Sequence, residues 1–122
     1  MMKQTILVVE DQEDNRRIFR DLLTSASYDV IEAVNGVEGV SAAETHNPDL
    51  ILMDIQLPGI DGYEATRRIK ANPNLQKIPI IVVTSYALSG DDVKAFEAGC
   101  DAYVAKPFSP RELLAKIREY LP

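Results

Sequence analysis

The sequence predicts an α/β fold with a doubly wound, five-stranded parallel sheet in the strand order 2-1-3-4-5 and helices on both faces. The first observation is that short apolar, β-branched runs alternate with amphipathic segments long enough for helices. The second is that three of the runs are apolar throughout, as in strands buried on both faces. The runs lie at 6–9, 28–31, 50–53, 80–83 and 102–105.

The strand order follows from the polarity of the second run. This run carries Asp29 and is followed closely by Glu32, whereas the first, third and fourth runs hold no charged residue. Charged side chains favour an edge position in a parallel sheet. The order 2-1-3-4-5 puts the second strand at an edge, and its ligand crevice lies outside the carboxyl ends of the strands.

Capping residues and breakers place the helices between these runs. A stripe of apolar residues predicts the first helix between 13 and 26. The third should open near Asp61 and stop before Asn72, and the fourth should carry acidic residues in its first turn and end at Gly99. The last is predicted over 110–120, because Ser109-Pro110-Arg111-Glu112 has a capping-box spacing with proline at the first helical position.

Length and composition predict one domain over 1–122, with no output domain. The chain has 122 residues, 13 Lys+Arg and 19 Asp+Glu, which gives a net charge of −6. A hydrophobic content of 46% is enough for a core and excludes disorder as the main state. Without a cluster of basic residues, neither nucleic acid nor a membrane surface is an expected partner.

Cysteine and histidine are too few for several kinds of site. Cys100 and His46 are single residues of their types, so neither an internal disulfide nor a closed zinc site can form. His46 precedes Asn47-Pro48 and is expected at the surface. The apolar run after the N-terminus is too short for a signal sequence or a membrane span, and a cytoplasmic location is expected.

Polar residues follow four of the predicted strands and should meet in one crevice. They are Glu10-Asp11, Asp54, Thr84-Ser85 and Lys106-Pro107. Three carboxylates this close repel one another unless a cation neutralises them, and Mg²⁺ prefers such oxygen ligands. An aspartate can also act as a nucleophile toward phosphorus, with Lys106 and the Thr84 hydroxyl meeting the phosphoryl charge.

These residues resemble the receiver domain of two-component response regulators, the CheY-like members of the flavodoxin-like folds. The resemblance rests on Glu10-Asp11, on the segment 52–59 around Asp54, on Thr84 and on Lys106-Pro107, and it covers the whole chain. Within the family the segment 49–58 is most similar to stand-alone receivers of the cell-cycle type.

The resemblance implies a phosphorylation site and a magnesium site. Asp54 would accept a phosphoryl group from the phosphohistidine of a sensor histidine kinase or a histidine phosphotransfer protein. Asp11 and Asp54 would bind Mg²⁺ directly, with Mn²⁺ as a possible substitute. Glu10 would act through water, and Gln56 would lend its backbone carbonyl.

The resemblance also implies a switch. Thr84 would move toward the phosphoryl group, Lys106 would pair with it, and Tyr103 would turn inward. The Lys106–Pro107 peptide would be cis. The output would be a change in protein binding on the face of the fourth helix, fifth strand and fifth helix. The protein would promote its own phosphotransfer and dephosphorylation without being an enzyme for other substrates.

The sequence leaves two other functions open. One is a phosphohydrolase that forms an aspartyl phosphate, although such enzymes carry a second aspartate where this chain has Gln56. The other is a flavin or nucleotide binder with the same fold, which the absence of a phosphate-binding glycine loop disfavours. Ser85 and Tyr86, which follow the switch threonine, are expected to tune the lifetime of the acyl phosphate.

Overall fold

A computed structural model of the chain describes residues 3–84 and 91–122. Five parallel strands form one sheet in the order β2-β1-β3-β4-β5, which confirms the predicted topology. The strands are β1 (Thr5–Val9), β2 (Asp29–Ala33), β3 (Leu50–Met53), β4 (Ile80–Thr84) and β5 (Ala102–Ala105). The helices are α1 (Glu13–Ser25), α2 (Gly36–His46), α3 (Gly62–Ala71), α4 (Asp91–Glu97) and α5 (Pro110–Tyr120).

The sheet separates two layers of core side chains. Alternate residues of a strand point to opposite faces, so each buried strand contributes to both layers. Leu7, Ile51 and Val82 pack on the side of α2, α3 and α4. Ile6, Leu52 and Ile81 pack on the side of α1 and α5, together with Leu113 and Ile117 of α5. This arrangement explains why the first, third and fourth runs are apolar at every position.

The edge strand β2 differs slightly from its prediction. It runs over Asp29–Ala33 instead of 28–31, because it pairs residue by residue with β1 from Asp29 to Ala33. The backbone hydrogen bonds between β1 and β2 continue beyond the apolar run, and hydropathy does not predict such pairing. Asp29 and Glu32 are exposed, as expected at an edge.

Helix ends follow the predicted caps. The Asp61 side chain accepts a hydrogen bond from the Glu64 N–H at 2.9 Å, and the Ser109 hydroxyl accepts one from the Glu112 N–H at 3.0 Å. Gly99 lies in the turn that follows α4, two residues after Glu97, and has a φ of 108°, in the left-handed region that glycine tolerates best. His46 is the last residue of α2 and is exposed, as the sequence predicts.

The parallel register sets the level at which the functional side chains leave the sheet. Val9 of β1 lies opposite Met53 of β3, so Glu10 and Asp54, the next residues, leave the two strands side by side. Thr84, the last residue of β4, pairs with Ala105, the last residue of β5. Lys106 therefore follows at the same end of the sheet.

Within residues 3–84 and 91–122, no helix is both long enough and apolar enough to cross a membrane. The residues Ser85 and Tyr86, to which the sequence assigns an influence on the phosphorylated state, lie outside the described residues.

Candidate functional site

Three acidic side chains meet at the carboxyl ends of β1 and β3. Glu10 and Asp11 follow β1 and Asp54 follows β3. One carboxylate oxygen from each of the three residues lies within 4.8 Å of the other two. The predicted acidic cluster is therefore formed, and each member reaches it by ending a buried strand.

Glu10 is the most deeply buried of the three acids, with 1% of its surface exposed. Its Oε1 accepts a hydrogen bond from Lys106 Nζ at 2.9 Å, and its Oε2 accepts one from the Gln12 N–H at 3.1 Å. Burial alone would raise the pKa of Glu10, but the Lys106 and Gln12 hydrogen bonds outweigh it and hold the pKa below its ordinary value. Glu10 is thus the charged partner of Lys106.

Asp54 has the opposite electrostatic balance. Its Oδ1 accepts a hydrogen bond from the Ile55 N–H at 2.7 Å, while its Oδ2 is 3.8 Å from Lys106 Nζ. Burial and the negative charge of Glu10 raise the pKa of Asp54 to about 6, and the more distant ammonium group offsets only part of this. At neutral pH the carboxylate is ionised but crowded by negative charge.

Lys106 spans the space between the two acids and lies against an aromatic pair. Its side chain is 16% exposed, and its Nζ is 5.8 Å from the centre of the Phe19 ring. Phe19 stacks on Phe108 with ring centres 5.7 Å apart. The Lys106 N–H donates to the Thr84 carbonyl at 2.7 Å, and the Lys106–Pro107 peptide is cis as expected. These contacts define the position of the ammonium group.

The two predicted switch residues lie on the neighbouring strands. Thr84 is fully buried at the end of β4, next to β3 and its Asp54. Tyr103 of β5 is half-buried and packs against the core layer beneath α2, α3 and α4. It lies opposite Val82, two residues before Thr84 on β4. Thr84 and Tyr103 therefore lie on two paired strands, two residues apart in register.

Gln56 lies on the solvent side of the acidic cluster. Its side chain is exposed in the connection between β3 and α3, where the Leu57 N–H donates to the Ile55 carbonyl in a tight turn. Gln56 and Asp11 line the same open surface depression, together with Asp61 and Lys94. Of the three acids, Asp11 lines this depression, which opens to solvent.

The donor set suits a hard divalent cation. All three side chains offer carboxylate oxygens, which are the ligands that Mg²⁺ and Mn²⁺ prefer over nitrogen or sulphur. The pKa of Asp54 is raised mainly by burial and next by the negative charge of Glu10. A bound cation would relieve that charge, so the residues present fit the metal that the sequence predicts.

Sequence reasoning missed the contacts of Arg16. Its Nη1 donates hydrogen bonds to the backbone carbonyl oxygens of Glu10, at 2.8 Å, and Asp11, at 2.9 Å. A helical side chain leans toward the N-terminus of its helix, so a long basic residue in the second turn of α1 can reach back to the preceding loop. That spacing is the signal that could have identified it.

Comparison with known proteins agrees with the fold and identifies the family. The family model for the response regulator receiver domain matches residues 6–118. The polar-differentiation response regulator DivK of Brucella anthropi is 42% identical over 120 residues, which are 98% of this chain and 98% of that protein.

Solved structures of high similarity include a receiver domain and a response regulator. The receiver domain of a sensor histidine kinase from Pseudomonas aeruginosa, with a magnesium ion coordinated in its active-site cleft, is 40% identical, with a TM-score of 0.92 and 98% coverage of both chains. A response regulator from Chloroflexus aurantiacus, described as putative, is 32% identical with a TM-score of 0.94 and the same coverage. The chain belongs to the response regulator receiver domains of two-component signalling.

Proposed function

We propose that Asp54 is the phosphoacceptor of this receiver domain and that a phosphohistidine on a histidine kinase or histidine phosphotransfer protein is the donor. The observation that carries the proposal is the placement of the Asp54 carboxylate. It lies in a cluster with Glu10 and Asp11, 3.8 Å from the ammonium group of Lys106, at the open end of the sheet. A nucleophile flanked by a cation is what phosphoryl transfer to a carboxylate requires.

The transfer step is a substitution at phosphorus. An oxygen of the ionised Asp54 attacks the phosphorus, the P–N bond to the donor imidazole breaks, and its electron pair returns to the ring nitrogen. Asp54 then carries an acyl phosphate. Lys106 pairs with the oxygens of the transferred group, which its position between Glu10 and Asp54 supports.

We propose that the cation of the site is Mg²⁺, held by Asp11 and Asp54 directly, by Glu10 through water and by the backbone carbonyl of Gln56. When bound, it neutralises the charge of the phosphoryl group. The carboxylate donor set supports this assignment, and so does the magnesium in the Pseudomonas aeruginosa relative. Mn²⁺ has the same preference for oxygen ligands and is expected to substitute.

The phosphorylated state is reversible by hydrolysis in the same site. Water attacks the phosphorus, the bond to the Asp54 oxygen breaks, and inorganic phosphate leaves with the carboxylate restored. The chain thus promotes two reactions of its own side chain and signals in between. Because both reactions take place on its own Asp54, the chain acts as a switch and is not an enzyme for other substrates.

The proposed output is a change at the face built by α4, β5 and α5. The new phosphoryl oxygens attract the hydroxyl of Thr84, and Tyr103 repacks on the neighbouring strand. On α4, Val93 and Phe96 are 54% and 50% exposed, an apolar pair one helical turn apart. This pair supports the face as a binding surface for a downstream protein.

We also propose that the chain acts as a stand-alone receiver in the cytoplasm. The match to DivK over 98% of that protein supports the first part. The free thiol of Cys100, which is buried, supports a reducing compartment.

The test is phosphorylation by a small phosphodonor such as acetyl phosphate with Mg²⁺, followed by intact mass. The wild type should gain one phosphoryl group and Asp54→Asn none. Asp29→Asn, which alters an exposed acid on β2 away from the site, should be phosphorylated like the wild type. A phosphoryl group on the Asp54→Asn protein would contradict the site. Catalytic turnover of a phosphate ester would indicate a hydrolase instead.

A further inference from the structure

Arg16 binds the backbone of residues 10–12, the acidic loop that connects β1 to α1. Nη1 carries two hydrogens, and these meet two acceptors, the carbonyl oxygens of Glu10 and Asp11 at 2.8 and 2.9 Å. The side chain is only 12% exposed, although arginine is ordinarily a surface residue. A nearly buried guanidinium group bound to two neighbouring peptides restricts the orientation of both.

Acidic side chains on two elements hold the guanidinium in place. Its Nε is 3.4 Å from Glu32 Oε1 on β2, and its Nη2 donates to Glu13 on α1. Arg20, one turn further along α1, contacts the same two acids, with Nε 3.4 Å from Glu32 Oε2 and Nη2 3.4 Å from Glu13 Oε1. All three side-chain nitrogens of Arg16 therefore have a defined partner, and Arg20 contacts the two carboxylates among these partners.

Two other hydrogen bonds of the loop restrain its N–H groups, and the Gln12 side-chain amide donates a long hydrogen bond of 3.5 Å to Asp11 Oδ2. The Glu10 N–H donates to the Ala33 carbonyl at 3.0 Å, and the Gln12 N–H donates to the Glu10 carboxylate. The side chain of Gln12, the N-cap of α1, makes no capping hydrogen bond. Arg16 restrains carbonyl groups of the loop, because its Nη1 binds the backbone carbonyl oxygens of Glu10 and Asp11.

From these contacts we infer that Arg16 is a positioning residue for the metal site. It fixes the peptides that set the direction of the Asp11 carboxylate, and so it prepares the loop to bind the cation before the cation arrives. Pre-ordered ligands bind more tightly, because less conformational freedom is lost on binding. The inference rests on the proposed function, since it assigns Arg16 a role in the cation binding proposed there.

A role that depends on the shape of the Arg16 side chain and one that depends only on its charge lead to different predictions for substitutions. A guanidinium fork can reach two carbonyls and two carboxylates in fixed directions, whereas a lysine ammonium is a point charge with three donors. Arg16→Lys keeps the charge but loses the fork. If positioning is the role, Arg16→Lys and Arg16→Gln should be impaired to a similar extent.

The test measures cation affinity directly. Mn²⁺ binding is followed by electron paramagnetic resonance of the free ion, and Mg²⁺ binding is measured by competition, at a temperature where every variant is fully folded. Both Arg16 variants should bind about tenfold more weakly than the wild type, as when a group that orients a metal ligand is removed. Arg20→Lys and Arg20→Gln share the carboxylate partners but not the carbonyls, and should stay within about twofold, as surface substitutions do.

A second measurement separates positioning from chemistry. With a small phosphodonor at saturating Mg²⁺, the phosphorylation rate of the Arg16 variants should return to within about threefold of the wild type, because excess cation compensates for a weaker site. A deficit that persists at saturating Mg²⁺ contradicts the inference.

Three further outcomes also overturn the inference. One is an unchanged Mn²⁺ dissociation constant in Arg16 variants that only unfold at a lower temperature, which shows a structural role. Another is full rescue by Arg16→Lys, which shows that charge is sufficient. The third is a wild type without saturable cation binding, and this result alone also removes the proposed metal site.

Discussion

Asp54 holds an unfavourable charge in the cation-free protein. Burial and Glu10 raise its pKa to about 6, above the ordinary value of 3.8. A raised carboxyl pKa means that stability is lost as pH rises from about 4 to about 6, because the unfolded state releases the proton first. We therefore predict that Asp54→Asn stabilises the protein in the presence of a chelator at about pH 7.5.

The expected gain is about 1–2 kcal/mol in the free energy of unfolding, less than the full pKa difference because solvent screens the open site. Urea denaturation at several pH values measures it. The gain should disappear near pH 4, where Asp54 of the folded wild type is neutral, as the asparagine of the variant is at every pH. Asp29→Asn is the control, and its stability should stay within about 0.5 kcal/mol of the wild type. A pH-independent gain from Asp54→Asn would contradict the electrostatic cause.

Individual residues of the site were predictable where strand order alone places them. Glu10, Asp11 and Asp54 follow buried apolar runs and Lys106 follows the partly exposed β5, so parallel pairing brings all four to one end of the sheet. The contact of Lys106 with Phe19 depends on how α1 packs against the connection from β5 to α5. Periodicity identifies Phe19 as a core residue but does not identify its neighbour.

At the scale of elements, α3 begins unusually close to the backbone of Asp54. A Cβ built on Gly62 would lie 2.1 Å from the Asp54 carbonyl oxygen. That contact is with backbone and cannot be relieved by a rotamer change. Gly62→Ala should therefore move α3 or Asp54 and destabilise the protein by about 3 kcal/mol, the upper part of the range for overpacking.

Gly59 gives a matched control for this substitution. It has a φ of 79° and open space around its Cβ position, so Gly59→Ala meets only backbone strain of about 1 kcal/mol. Thermal and urea unfolding of the two variants should show the larger loss at Gly62. In addition, only Gly62→Ala should slow phosphorylation by a small donor. Equal losses in both variants would mean that the close approach has no cost.

Helix and strand bounds were predictable to different degrees. Side-chain caps such as Asp61 and Ser109 leave a clear pattern, and the helices begin where it indicates. The end of β2 at Ala33 was not predictable from hydropathy, because β1 determines it through backbone hydrogen bonds. The approach of Gly62 to Asp54 is likewise a tertiary contact. The residue type suggests a turn but not its neighbour.

At the scale of the whole molecule, the proposed cation site would join the ends of two central strands. Asp11 follows β1 and Asp54 follows β3, so a ligand bound by both resists their separation during unfolding. A cation at a hundred times its dissociation constant should add about 2.7 kcal/mol to the free energy of unfolding. Differential scanning calorimetry with and without Mg²⁺ measures the gain. Asp11→Asn should lose most of it, while Asp29→Asn keeps it.

The sheet also separates two core layers, and substitutions in one layer should change stability independently of substitutions in the other. Ile69 of α3 and Ile117 of α5 are both fully buried, but in different core layers. Ile69→Val and Ile117→Val should each cost about 0.5–1.5 kcal/mol. The double variant should cost their sum to within about 0.5 kcal/mol, as denaturant titrations would show, because the sheet separates the two sites. Substitutions in one layer can thus accumulate without restricting those accepted in the other, so the two sides of the molecule are free to diverge at different rates.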